Sequence, residues 1–115
     1  MTTNAFSPQT GATAGKTVKV TANNTPTSVA GTVDSTGLEG AVLRIYNAGT
    51  VLVFVRSSSE AQASIAATAA DIPLAAGASI LIQNPQPAGK TGVAVLSSTT
   101  TSCDVYFTPG VGGAS

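Results

Sequence analysis

The chain has 115 residues, of which 43% are hydrophobic and only 9% charged, and its five Lys/Arg balance five Asp/Glu. A single domain of this size buries about two-thirds of the surface that its unfolded chain exposes, so one core is feasible without disulfides or metals. The cations Lys16, Lys19, Arg44, Arg56 and Lys90 are scattered, which argues against nucleic acid as a partner, and no apolar run approaches the roughly 18 residues of a membrane-spanning helix.

The charged share falls well below the usual value of about 25%. A free monomer with so few charges is poorly protected against self-association, which favours a surface covered by partners. The N-terminus MTTNAFSPQTGATAGK has neither a basic start nor an apolar centre, so it does not read as a secretory signal. Cys103 is the one cysteine and cannot form an internal disulfide, consistent with synthesis in a reducing cytoplasm.

Residues 1–15 are mostly Thr, Ala, Gly, Ser and Pro around one aromatic, Phe6. They bury too little apolar surface to offset their ordering entropy, and read as a flexible N-terminal arm. The arm is either a free tail or a segment that orders on a neighbouring subunit with Phe6 as its anchor. A β domain is expected over residues 16–109 and a flexible tail over 110–115. KTVKVTA alternates, with Thr17, Lys19 and Thr21 on one face and Val18 and Val20 on the other, as in a half-buried strand. NNTP is a turn signal, TSVAGTV a weaker strand in which Gly31 suggests a bulge, and DSTGLEG a polar loop.

AVLRIYN and VLVFVRS flank Ala48-Gly49, so a hairpin is expected, with Tyr46 opposite Val51 and Arg44 opposite Val53, or shifted by one residue if the loop is longer. Both strands are apolar on both faces over several positions, as for central strands of a two-layer fold. The Ala-rich stretch after Ser57 lacks an apolar stripe at helical spacing, and Pro73 disfavours a helical Ile72. It reads as an extended crossover ending in the turn Ala75–Gly77, the alternative being a short helix over about residues 61–70. ASILIQN is a strand, PQPAGKTG a long turn, and VAVLSS and CDVYFTP a last pair of strands around the polar tip TTTS. The pattern predicts an all-β fold, an antiparallel β-sandwich or jelly-roll-like barrel of about seven or eight strands.

Reactive chemistry is sparse. The chain has no histidine, which removes the commonest general base and metal ligand together with the Ser/His and Cys/His nucleophile pairs. Among the carboxylates Asp34, Glu39, Glu60, Asp71 and Asp104, only Asp34 and Glu39 are close in sequence, and DSTGLE does not match the twelve-residue calcium loop. Asp71 reads as a turn cap that accepts backbone N–H bonds, and Asp104 beside Cys103 disfavours a reactive thiolate. No enzyme, cofactor or metal site is expected. Arg44 and Arg56 are the only charges of the expected hairpin. Each either lays its stem over the sheet and pairs with a surface carboxylate or serves as an interface arginine.

Three segments, RIYNAGTVLVFVR, ATAADIPLAAG and VYFTPGVG, carry a resemblance. In order they present Arg44, Asn47-x-Gly49, Phe54-Val55-Arg56, Asp71-x-Pro73-x-x-Ala76-Gly77 and Tyr106-x-Thr108-Pro109-Gly110. Over residues about 41–112 this resembles the small virion proteins encoded in the head modules of tailed bacteriophages. The chain departs from their pattern at Ser57-Ser58-Ser59 and at Val111. The resemblance implies a capsid decoration, or cement, protein on the outer capsid surface, made in the host bacterial cytoplasm. Such a protein binds the major capsid protein and itself, as a homodimer or homotrimer. Interface residues are then expected at Phe6, Arg44 and Arg56. The rival readings are another virion part, such as a head–tail connector, neck or fibre-base protein, and a carbohydrate- or ligand-binding β-sandwich module. The latter is disfavoured by the absence of Trp and by the expectation that most of Phe6, Tyr46, Phe54, Tyr106 and Phe107 are core.

Overall fold

The computed structural model describes residues 7–8, 17–22, 28–35, 42–58, 66–85 and 89–111. These residues are all-β: β1 (Ser7–Pro8), β2 (Val18–Ala22), β3 (Val29–Asp34), β4 (Val42–Asn47), β5 (Val53–Ser58), β6 (Ile72–Leu74), β7 (Ser79–Gln83), β8 (Lys90–Ser97) and β9 (Cys103–Val111). They form two antiparallel sheets. In the first, β9 lies between β4 and an outer edge along which β2 and β1 follow one another, and β7 flanks β4 on the far side. The second has the order β3-β8-β5-β6.

Period-two alternation decides what each strand buries. Val20 and Ala22 of β2, Leu43 and Ile45 of β4, and Val105 and Phe107 of β9 point inward from the first sheet. Val33, Val53, Val55, Val93 and Val95 meet them from the second, so the two sheets face each other over one shared core, as in a β-sandwich. Phe107 is the largest fully buried side chain. The expectation that most aromatics are core is corrected: Tyr46, Phe54 and Tyr106 are half-buried on the outer faces, and Phe6 lies outside the described residues.

The expected β4–β5 hairpin does not form. β4 pairs with β9 and β7, and β5 with β8 and β6, so the chain changes sheet between Asn47 and Val53. Tyr46 therefore stands opposite Ser79 and Tyr106, and Arg44 opposite Leu81 and Thr108. A two-residue type I′ hairpin needs positive φ at both central residues. Gly49 does not adopt it, whereas Gly77, at φ 75°, does so in the expected Ala75–Gly77 turn. Both strands are nonetheless central in their sheets, as their two-faced apolarity requires. β8 and β9 likewise belong to opposite sheets.

Gly31 is not a bulge. β3 and β8 run in unbroken register, with Gly31 opposite Val93. A Cβ at Gly31 would lie 2.9 Å from Val20 Cγ2, so the glycine is where β3 comes up against β2 of the other sheet. Gly31→Ala is expected to lower unfolding stability by about 1–2 kcal/mol in urea titration, because the buried Val20 side chain, stiff at χ1, must give way.

β6 leaves no mark in the sequence pattern, because three residues containing Pro73 give no periodic signal. Before it, residues 66–68 have no regular secondary structure and Thr68–Asp71 form a turn; residues 59–65, and with them part of the alternative helix, lie outside the described residues. Of the expected N-terminal arm only Ser7–Pro8 is described, paired with Gly110–Val111. β9 thus runs two residues into the segment expected as tail.

Candidate functional site

Two buried polar clusters sit at opposite ends of the core. At one, Asn47 Nδ2 donates to Val51 O at 2.9 Å and Leu74 O at 3.0 Å. Its Oδ1 accepts from Gly49 N at 2.9 Å, an Asx turn, and from the Cys103 thiol at 2.9 Å. The backbone of Asn47 is also used, donating to Ala78 O and accepting from Gly77 N. At the other end Thr91 Oγ1 donates to Asn84 Oδ1 at 2.6 Å, and Asn84 Nδ2 to Ser35 Oγ at 3.3 Å. Both clusters tie one sheet to the other, and their polar atoms are occupied in doing so. They are staples, with nothing presented to a ligand.

The polar residues singled out for chemistry behave in the same way. Asp71 Oδ2 accepts from Thr68 N at 2.7 Å, the expected turn cap. Cys103 is buried, with its thiol bound as above. Asp34 ends β3, and Glu39 lies outside the described residues. Among the described residues no three of His, Cys, Asp or Glu gather in a metal-binding group.

What remains is surface, and the two outer faces differ. On the second sheet, Gly92 and Ala94 of β8 are buried on the outward side as well. Ala67 packs on Ala94, and Ala67 N donates to Ser28 Oγ at 2.8 Å, so this chain's own residues 66–68 strap the sheet. Arg56 belongs to that strap: its Nη1 donates to Ala66 O at 3.4 Å.

The outer face of the first sheet carries no strap among the described residues. Its registers align Lys19, Tyr106, Tyr46 and Ser79 in one row, and Thr108, Arg44 and Leu81 in the next. The Tyr46 and Tyr106 rings stack with centroids 6.5 Å apart, and the Arg44 guanidinium lies 5.7 Å from the Tyr46 ring centre. Thr17 and Thr108 share a hydroxyl–hydroxyl hydrogen bond of 2.9 Å, and Thr21 Oγ1 donates to Asp104 Oδ1 at 2.7 Å. The result is a partly ordered face of aromatic rings, one arginine and small hydroxyls. Arg44 and Arg56 therefore lie on opposite outer faces and form no common site; Phe6 lies outside the described residues.

Sequence reasoning missed Tyr46 and Tyr106 as a pair. Alternation in VLRIYN does put Tyr46 on the Arg44 face, but Tyr106 joins them only through the β4–β9 register. Comparison with protein-family models, with curated proteins and with solved structures gave no match.

Proposed function

We propose that the chain is a structural virion protein that decorates the icosahedral capsid of a tailed bacteriophage and cements it by bridging subunits of the major capsid protein. The observation that carries this reading is the nesting of the strands. β5 pairs with β6, β4 with β7, β3 with β8 and β2 with β9, each pair centred on the same part of the chain, about residue 62. One long hairpin rolled up on itself, closed by the β4–β9 and β5–β8 pairings, supports the jelly-roll form of the sandwich. Viral capsid domains are prominent among jelly rolls, and the resemblance of residues 41–112 to phage head-module proteins points the same way.

The surface chemistry supports a protein partner. Tyr and Arg are the residue types that anchor protein interfaces, and Tyr46, Tyr106 and Arg44 stand together on an outer face that carries no strap among the described residues. Low charge suits a surface that stays covered in a homodimer or homotrimer on the shell. The N-terminal arm, with Phe6 as its anchor, belongs to the same reading. A protein that binds only the assembled shell lowers that state's free energy by mass action, without catalysis.

Cryo-EM and quantitative mass spectrometry of the parent particle test the proposal. Decoration requires on the order of hundreds of copies per particle, one per local subunit site, whereas roughly a dozen or fewer would mean a connector or fibre component. A purified chain that does not associate with capsids overturns it. Arg44→Ala is expected to weaken capsid association by about tenfold or more with unchanged unfolding, and Arg44→Lys to restore little of it, because a lysine lacks the planar fork.

A further inference from the structure

We infer that the free edge of β7 pairs with β7 of a second copy, antiparallel about a two-fold axis through Leu81. The inference rests on the homo-oligomeric part of the reading above and gives it a geometry.

Four observations carry it. First, β7 is an edge: among the described residues it pairs only with β4. Second, its outward hydrogen-bonding groups can be assigned. Asn47 N donates to Ala78 O at 3.0 Å, one step beyond the Tyr46–Ser79 pair. Bonded pairs alternate in an antiparallel ladder, so Ile45 with Ile80 and Leu43 with Ile82 are bonded as well. Ser79, Leu81 and Gln83 therefore turn their N–H and C=O groups away from β4, toward the free edge.

Third, the strand reads Ser-Ile-Leu-Ile-Gln: its apolar centre Ile-Leu-Ile is the same in both directions, and both ends are neutral and polar. A two-fold axis at Leu81 sets Leu81 against its own copy, each isoleucine against the other isoleucine, and Ser79 against Gln83. Leu81 bonds with its own copy and Ser79 with Gln83 of the second, so every outward group of the strand is used. The Ile80–Ile82 pairs, half-buried at the rim of the core, become close non-bonded neighbours. Leu81, 41% exposed, is covered by its counterpart. No charge opposes a like charge.

Fourth, β7 lacks the devices that blunt the other edges. β6 has three residues and carries Pro73, β1 carries Pro8, and β2 displays Lys19. β3 holds Gly31 against β2 and ends in Asp34. β7 has no proline and no charge, the state in which an edge accepts another strand. A two-fold pairing is closed, so it satisfies the edge without open-ended growth.

The test is sedimentation equilibrium of the purified full chain across the micromolar to millimolar range. Leu81→Lys, which sets two ammonium groups face to face, is expected to raise the dimer dissociation constant by about tenfold or more. The second measurement does not depend on that variant folding. Leu81→Cys is expected to give a disulfide-linked dimer on mild oxidation, since bonded antiparallel partners lie about 5.5 Å apart at Cα. Thr17→Cys, on the opposite edge, is expected to stay unlinked. A chain that remains monomeric throughout, or a dimer indifferent to Leu81→Lys whose Leu81→Cys form does not crosslink, overturns the inference. Capsid association of the unaltered chain is measured separately, so loss of the β7 pairing and loss of the decoration role give different results.

Discussion

Replacing Asn47 with alanine is expected to lower the stability of the domain by about 3–5 kcal/mol, measured as the shift in urea-unfolding free energy. Asn47 is fully buried, and its carboxamide makes four hydrogen bonds, two through Nδ2 and two through Oδ1. Truncation removes none of their partners. The Leu74 carbonyl and the Gly49 N–H stay behind, each costing about 1–3 kcal/mol if left buried without a partner, whereas the Val51 carbonyl keeps the Cys103 thiol at 3.6 Å. Water entering the vacated space offsets part of that. The loss compares with a total stability of about 5–15 kcal/mol for a domain. Asn47→Asp is expected to be worse than alanine at neutral pH, because it sets a second oxygen against two carbonyl oxygens. A loss below about 1 kcal/mol for the alanine variant would mean that the corner between the sheets does not depend on this side chain.

The corner also marks the boundary of what could be read from the sequence. Alternation is local, so β2, β4, β5, β7 and β9 were legible from the spacing of their apolar residues. Partner choice is not local. β2 pairs Val18 with Phe107 near the other end of the chain, and nothing in VKVTA encodes that. The segment around Asn47-Ala48-Gly49 carries hairpin residues and by them alone reads as a hairpin. Yet Asn47 falls in phase with Leu43 and Ile45, so its side chain had to point inward. A buried carboxamide needs buried partners, and that requirement separates a corner from a tight turn. The outer face was half legible: Arg44 and Tyr46 share it by alternation, whereas Tyr106 reaches them only through a long-range register. Residues 66–68 gave no sign that they would cover Ala94, because an alanine over an alanine leaves no periodic trace.

Gly49 permits a sharper test, because its two possible reasons for being glycine predict different results. If glycine is required for backbone freedom, Gly49→Ala destabilises whatever surrounds it. The structure gives the other reason. Gly49 lies outside the left-handed region, and a Cβ there would fall 1.9 Å from Cys103 Sγ, 3.0 Å from its Cβ and 3.1 Å from its Cα. The sulfur cannot retreat easily: it is buried, donates to Asn47 Oδ1, and stands on a residue held in register with Ala22. Gly49→Ala is therefore expected to cost about 3 kcal/mol, since the corner or β9 must shift as a whole. Cys103→Ala alone is expected to cost about 1–2 kcal/mol for a small cavity and a lost contact. Together the two should cost less than their sum by about 2 kcal/mol, because the sulfur that Gly49→Ala collides with is gone and only the contacts at 3.0 Å and 3.1 Å remain. Urea unfolding of the four proteins of this cycle measures that coupling. Strictly additive losses would refute the steric account and return Gly49 to an ordinary turn glycine.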